Sequence, residues 1–399
     1  MKEISNKFVI FVLLLITPIF FSLQDGLYVG QNFQNEKILE LPIPISFFIL
    51  ILISIILFLA NIKQSYSFFN EKIVQIYLIT FFIIIFINIF YFDFEYKKIV
   101  YLVQFFLPLL GLFVGYFFFE NFFFLIIYRI LFIYFSLHLL FSFLQGKLFL
   151  VPHLYIFEIY QNFQYVNATL VFLACISLMN IRKQIYKINF ILYICLIFFY
   201  SFFCYSFSSI IIFAASLFLL LKSDFKKNYI KYFFLFLLFL FFFTILNRAV
   251  SDKELIGKNN INYVNNYQKF IKVVNLELPD SFTLRVHIFD TYIKDILEKN
   301  LLFLGSRSFE LDRKYNGAHN LFIDSIYKFG ILLTIPFFYL FIFIFFSIIK
   351  ETDPQKKNIL IIYFIFLLIE NFFKVSLKQP YSGIISYYIF AILFFQKKN

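Results

Sequence analysis

Apolar runs long enough to cross a bilayer recur along almost the whole of this chain, and no other feature restricts its fold as much. Crossing ~30 Å of hydrocarbon takes about 20 predominantly apolar residues as a helix, whose backbone hydrogen bonds are satisfied internally. Runs of that kind lie near 1–23, 42–60, 73–92, 99–119, 122–145, 164–181, 188–204, 207–221, 229–246, 331–349, 359–374 and 380–395. The fold class expected is an all-α polytopic membrane protein with about 12 transmembrane helices and one large loop between helices 9 and 10. Composition agrees: 62% of the 399 residues are hydrophobic, well above the about 45–50% of soluble domains. The chain divides into a membrane domain at 1–246 (helices 1–9), a polar loop at 247–318 with short amphipathic helices, and a membrane segment at 319–399 (helices 10–12).

Lys2 and Lys7 precede the first apolar run as in a signal peptide. No small-x-small cleavage site follows, so the run reads as an uncleaved first span. With the N-terminus cytoplasmic, sixteen Lys and Arg fall in inner segments and six in the short outer loops, as the positive-inside rule requires. Both termini are then cytoplasmic, and 247–318 lies outside. Much of the net charge of +12 sits in short loops between spans, where topology accounts for it, so nucleic acid is not an expected partner. Cys175, Cys195 and Cys204 lie in or at the end of apolar runs without metal-ligand spacing and read as small buried hydrophobes.

Only six of the 35 basic residues are Arg, so lysine has served nearly everywhere a positive charge was needed. An arginine that survives such a bias marks a place for a planar, two-pronged donor. Four of the six, Arg248, Arg285, Arg307 and Arg313, fall in 247–318. After Pro279 an amphipathic helix is expected, capped by Ser281 or Thr283. Its apolar residues Leu284, Ile288, Phe289, Tyr292, Ile293, Ile296 and Leu297 share one arc with Arg285 in the middle, whereas His287 falls among Lys294 and Glu298. His287 therefore reads as solvated. Arg285, turned inward, needs an anionic partner, either a carboxylate such as Asp324 or Glu370 or a bound anion. Glu370 is also placed to pair with Lys374 one turn on.

Turns at Leu304-Gly305-Ser306 and Asn316-Gly317 lead to Ala318-His319-Asn320, which opens an apolar helix running to Gly330 and the tenth span. Free N–H groups at a helix N-terminus favour an anion and disfavour imidazolium. A neutral His319 beside a bound phosphate could act as a general base, or it could simply end the helix. Asp290, Asp295 and Glu298 lie on a helix flank with lysines nearby, which suits a solvated face, so neither metal nor cofactor is expected.

Arg285, then LLFLGSRSFE at 301–310, then AHNLFIDSIYKFGILLTIPFF at 318–338, set after about nine spans and before three more, resembles the bacterial O-antigen ligase and O-antigen polymerase family. The resemblance is strongest over about fifty residues, and His-Asn followed by an apolar helix and Gly is its most specific part. It implies metal-independent, inverting transfer of an undecaprenyl-diphosphate-linked glycan at the periplasmic face of a bacterial inner membrane. The acceptor would be a lipid A-core sugar for a ligase or another glycan for a polymerase. Arg285 would hold the diphosphate, His319 would bind phosphate or deprotonate the acceptor hydroxyl, and Asn320, Arg307 and Arg313 would bind substrate. One departure is visible: where many members carry a Ser-Arg-Gly-like turn between spans seven and eight, this chain reads Ser206-Phe207-Ser208-Ser209.

A polysaccharide flippase or other transporter is the alternative of a different class. It would place charged groups along several spans, often in two related halves. In this chain few charges lie mid-span, no repeat is visible, and the long loop comes late.

Overall fold

The computed structural model describes residues 45–91, 96–117, 280–308, 310–315, 317–378 and 380–395, with isolated helical positions at 133, within 167–178 and within 211–219. Of the spans expected at 1–23, 122–145, 164–181, 188–204, 207–221 and 229–246, only those isolated positions are described. The loop residues 247–279 and the Ser206–Ser209 turn lie outside the described residues.

All regular structure among the described residues is helical. In chain order it comprises α1 (Ile45–Ala60), α2 (Ile62–Phe69), α3 (Lys72–Tyr91), α4 (Tyr96–Phe106), α5 (Leu109–Phe117), α6 (Asp280–Glu298), α7 (Glu310–Tyr315), α8 (Leu321–Phe329), a 3-10 turn (Ile331–Leu333), α9 (Thr334–Lys350), α10 (Pro354–Phe373) and α11 (Pro380–Phe394). Lys72–Phe90 and Ile331–Lys350 are long and apolar enough to cross a membrane, and α1 with α2, bent by 109° at Asn61, forms a third span if the pair is one broken crossing.

The apolar spans sort their few polar side chains inward. On α3 the buried stripe is Ile73, Tyr77, Thr80, Ile84 and Asn88, while Ile79, Phe82, Phe86 and Phe90 are exposed. A helix that is apolar all round is suited to lipid, with its polar groups toward protein. Tyr77 hydrogen-bonds Tyr387 of α11, and Asn88 donates from Nδ2 to the Ile84 carbonyl at 2.7 Å. On α9, Phe337, Leu340 and Ile344 are buried, and Ile335, Phe338, Ile342 and Phe346 are exposed.

The span expected at 99–119 is broken. Pro108 has no N–H and cannot continue α4, so the chain restarts as α5. Gly111 and Gly115, a Gly-x-x-x-Gly pair, then let α5 meet α11 at backbone contact. A Cβ at Gly111 would lie 2.0 Å from the Ile384 carbonyl oxygen, and one at Gly115 2.6 Å from the Ala391 Cβ. Small residues take such positions because close backbone approach is a main source of helix association in lipid.

A second, smaller core sits at one end of this bundle, where Ile288, Tyr292 and Ile296 of α6 pack with Ala318 and Tyr327. The arc read from the sequence is too wide: Leu284, Ile293 and Leu297 are exposed, because α6 packs along one narrow stripe. The helix is already formed at Asp280, so neither Ser281 nor Thr283 is its cap. The α6 N-terminus lies against the end of α10, with the Phe282 and Phe373 rings 5.8 Å apart.

Candidate functional site

The site lies where the small core meets the bundle, and α8 builds most of it. Asn320 caps α8: its Oδ1 accepts from the N–H groups of Phe322 (3.0 Å) and Ile323 (3.2 Å), and its Nδ2 donates to the Phe372 carbonyl at 3.4 Å. The next amide, of Asp324, donates to the Asn320 carbonyl at 2.8 Å. This corrects the expectation that free N–H groups at this helix start would hold an anion. Those of Phe322, Ile323 and Asp324 are already bonded, and the Asn320 amide itself is occupied in doing so.

His319, just before the cap, is half-buried and has a φ of 53°. A left-handed conformation costs a non-glycine residue about 1–2 kcal/mol, so the surrounding turn must impose it. Burial and the charges of Arg285 and Lys378 lower the imidazole pKa below the ordinary 6.5, with Asp324 and the Tyr315 carbonyl opposing them. A neutral imidazole has one nitrogen free to accept a proton.

Arg285 lies on the packed side of α6, one turn before Ile288. Burial lowers its pKa from the ordinary 12.5, and the Glu370 carboxylate opposes that shift. Since a guanidinium remains protonated, the shift reflects how strongly this buried cation calls for an anion. Of the two carboxylates considered from the sequence, Glu370 is the one whose charge acts on it. Glu370 is fully buried; its Oε1 accepts from Asn167 Nδ2 at 3.0 Å and pairs with Lys374 Nζ at 3.4 Å, as the i, i+4 spacing anticipates. Its Oε2 has no hydrogen-bond partner among the described residues.

A buried ionic network adjoins this group, and most of it was not legible in the sequence. Asp324 accepts from Lys328 Nζ at 2.8 and 3.0 Å and from Lys378 Nζ at 2.8 Å. Lys328 also lies 3.3 Å from Asp312 of α7, whose Oδ1 accepts from the Tyr292 hydroxyl at 2.8 Å. The Tyr101 ring of α4 sits 4.2 Å from the Lys328 ammonium and 5.1 Å from that of Lys378. Burial opposes ionisation of Asp324, but the two ammonium groups outweigh it and hold the carboxyl well below its ordinary value. Burial brings Lys378 down to about 8, with Asp324 resisting and Lys328 reinforcing.

The segment carrying Lys374 and Lys378 is itself constrained. Val375 has a φ of 52°, a true outlier for a β-branched residue. Asn371 Oδ1 accepts from the Leu377 N–H at 2.9 Å, and Ser382 Oγ donates to the Ser376 carbonyl at 2.6 Å, which fixes the turn in place.

No protein-family model, curated protein or solved structure matches this chain. What the site can do must therefore be read from its own residues. Arg285 and His319, distant in sequence, act on one another electrically at the end of the bundle. Arg307 is exposed in the turn after Gly305, and Arg313 falls in α7 with its side chain outside the described residues. His287 is exposed, as expected. Among the described residues no three His, Cys, Asp or Glu side chains form a metal-holding group. The residues that sequence reasoning missed are Lys378, Asp312, Tyr292, Tyr101 and Asn167; of the network, only the i, i+4 spacing of Asp324 and Lys328 was a signal.

Proposed function

We propose that this chain is a lipid-linked glycan transferase of the O-antigen ligase or polymerase kind, working at the outer face of a bacterial inner membrane with twelve spans and both ends cytoplasmic. The observation that carries the reading is the pairing of a half-buried arginine that calls for an anion with a neutral histidine in its field, both beside the membrane bundle. Arg285 binds the diphosphate of an undecaprenyl-linked donor, and its planar fork gives two parallel hydrogen bonds to phosphate oxygens. His319 accepts the proton of the acceptor hydroxyl as that oxygen attacks the anomeric carbon. The bond from that carbon to the phosphate oxygen breaks, its electron pair leaves with the undecaprenyl diphosphate, and the configuration inverts. Arg307 and Arg313 stand nearby in sequence as further phosphate contacts.

Lys97, Lys98, Lys374 and Lys378 all belong to loops expected outside, and Lys378 and Tyr101 meet Asp324 and Lys328 at the same end of the bundle as α6. That common end supports placing the site on one membrane face. Among the described residues the buried ion pairs gather at one end of the bundle, which also weighs against a flippase. The test is deletion of the gene followed by gel analysis of lipopolysaccharide. Loss of all long-chain material on the lipid core indicates a ligase, a single repeat left on the core a polymerase, and unchanged lipopolysaccharide overturns the reading.

A further inference from the structure

The turn that carries His319 is held from behind by one carboxylate. Asp324 Oδ1 accepts from the Ala318 N–H at 3.3 Å. Gly317, at a φ of 102°, leaves the hollow into which that oxygen fits; a Cβ there would lie 3.2 Å from it. Ala318 is fully buried and Asp324 is 1% exposed, so this contact is sealed from water. On the other side of His319, Asn320 is fixed by its capping bonds. The left-handed backbone of His319 is therefore clamped between an amide bonded to Asp324 and a cap on the same helix.

Asp324 is fixed in turn. Lys328, one turn along α8, and Lys378, from the segment after α10, both bond it, and both cations lie over the Tyr101 ring of α4. Elements distant in sequence thus converge on one carboxylate whose remaining bond supports the histidine turn.

We propose that Asp324 is the positioning residue of His319: its carboxylate bonds the amide just before the histidine, fixes the left-handed turn and sets a negative charge behind it, with Lys378 as the opposing cation. The proposal rests on the reading of His319 as a base. The charged groups that act most on His319 are Arg285 from α6, Asp324 from α8 and Lys378 after α10, with the Tyr315 carbonyl of α7 also favouring imidazolium. Removing a negative neighbour destabilises imidazolium, and removing a positive one stabilises it. Asp324→Asn and Lys378→Gln should therefore move His319 in opposite directions.

The experiment uses the full chain in lipid nanodiscs with isotope-labelled histidine, and His319→Ala to assign the His319 signal. The imidazole is titrated by NMR in the unsubstituted protein, in Asp324→Asn and in Lys378→Gln, and glycan transfer is followed against pH in the same samples. The expected result is a lower His319 pKa in Asp324→Asn and a higher one in Lys378→Gln, with the acidic limb of transfer following each. If Asp324→Asn does not fold, Asp324→Asn with Lys378→Gln keeps the network balanced and is compared with Lys378→Gln alone. An unmoved imidazole pKa in the Asp324 variants overturns the proposal, whatever the transfer rate. A shifted imidazole with an unmoved transfer limb upholds Asp324 as positioning residue and instead overturns His319 as base.

Discussion

The Asp324 carboxylate accepts from the Lys378 ammonium at 2.8 Å although 54 positions separate them in the chain. With Lys328 and Asp312 the pair forms a buried network in which each charge is offset by its neighbours. Deleting one member strands the others without water. Lys328→Met should destabilise the protein by about 3–5 kcal/mol, the usual cost of breaking a buried pair from one side. Thermal unfolding in detergent measures it, and Lys294→Met is the control, because its pair with Asp290 is exposed and screened. Equal midpoints for the two variants would contradict the network's role.

The same network sets an acid limit. Asp324 has its folded pKa depressed below its ordinary 3.8 by Lys328 and Lys378, against the effect of burial. A depressed carboxyl contributes stability that is present above the unfolded value and lost as pH falls through the folded one. Stability should therefore fall below about pH 4 by this route. Asp324→Asn should flatten that part of the profile; an unchanged acid limb would assign the loss to other carboxylates.

For the proposed transfer, Arg285→Lys should impair function far more than Arg307→Lys. Lysine keeps the charge but loses the fork, and Arg285 is half-buried where Arg307 is exposed. His319→Ala should reduce transfer by about 10²–10⁴-fold, the range of a lost general base, while the protein stays folded. The left-handed φ of 53° is retained by alanine at modest cost. Transfer in membranes carrying equal amounts of each variant decides it, and near-normal rates for both Arg285→Lys and His319→Ala would leave a scaffold or transporter.

Gly111→Ala should loosen the seam between α5 and α11, because the added carbon would meet the Ile384 carbonyl oxygen at 2.0 Å, and backbone cannot swing aside as a side chain can. A loss of about 1–3 kcal/mol is the ordinary result of overpacking. A lower unfolding midpoint in detergent is expected; an unchanged one would mean the helices are not in backbone contact.

Orientation is checked with single cysteines in a background where Cys175, Cys195 and Cys204 are replaced. Lys294→Cys on exposed α6 should react with a membrane-impermeant maleimide added outside, and Lys356→Cys at the start of α10 should not. The reverse pattern would invert the topology and move the site to the cytoplasm.

Much here was settled by the chain's own pattern. Unbroken apolar runs can only be helices in lipid, and the six described stretches of that kind are helical, though Pro108 divides one of them. The i, i+4 pair of Glu370 and Lys374 and the inward turn of Arg285 follow from helical periodicity, a local property. The helix running from just after Asn320 to Gly330 was legible from its punctuation for the same reason. What the sequence could not supply is which distant charges share a site. Lys378 meets Asp324, and Asp312 meets Lys328, only because separate helices pack to bring them within hydrogen-bond reach. The left-handed turn of His319 and the occupation of the first-turn amides by Asn320 depend on side-chain rotamers chosen by that packing. Periodicity fixes a residue's face on its own helix, whereas a buried charge network is fixed by the relative placement of several helices, which only the tertiary structure decides.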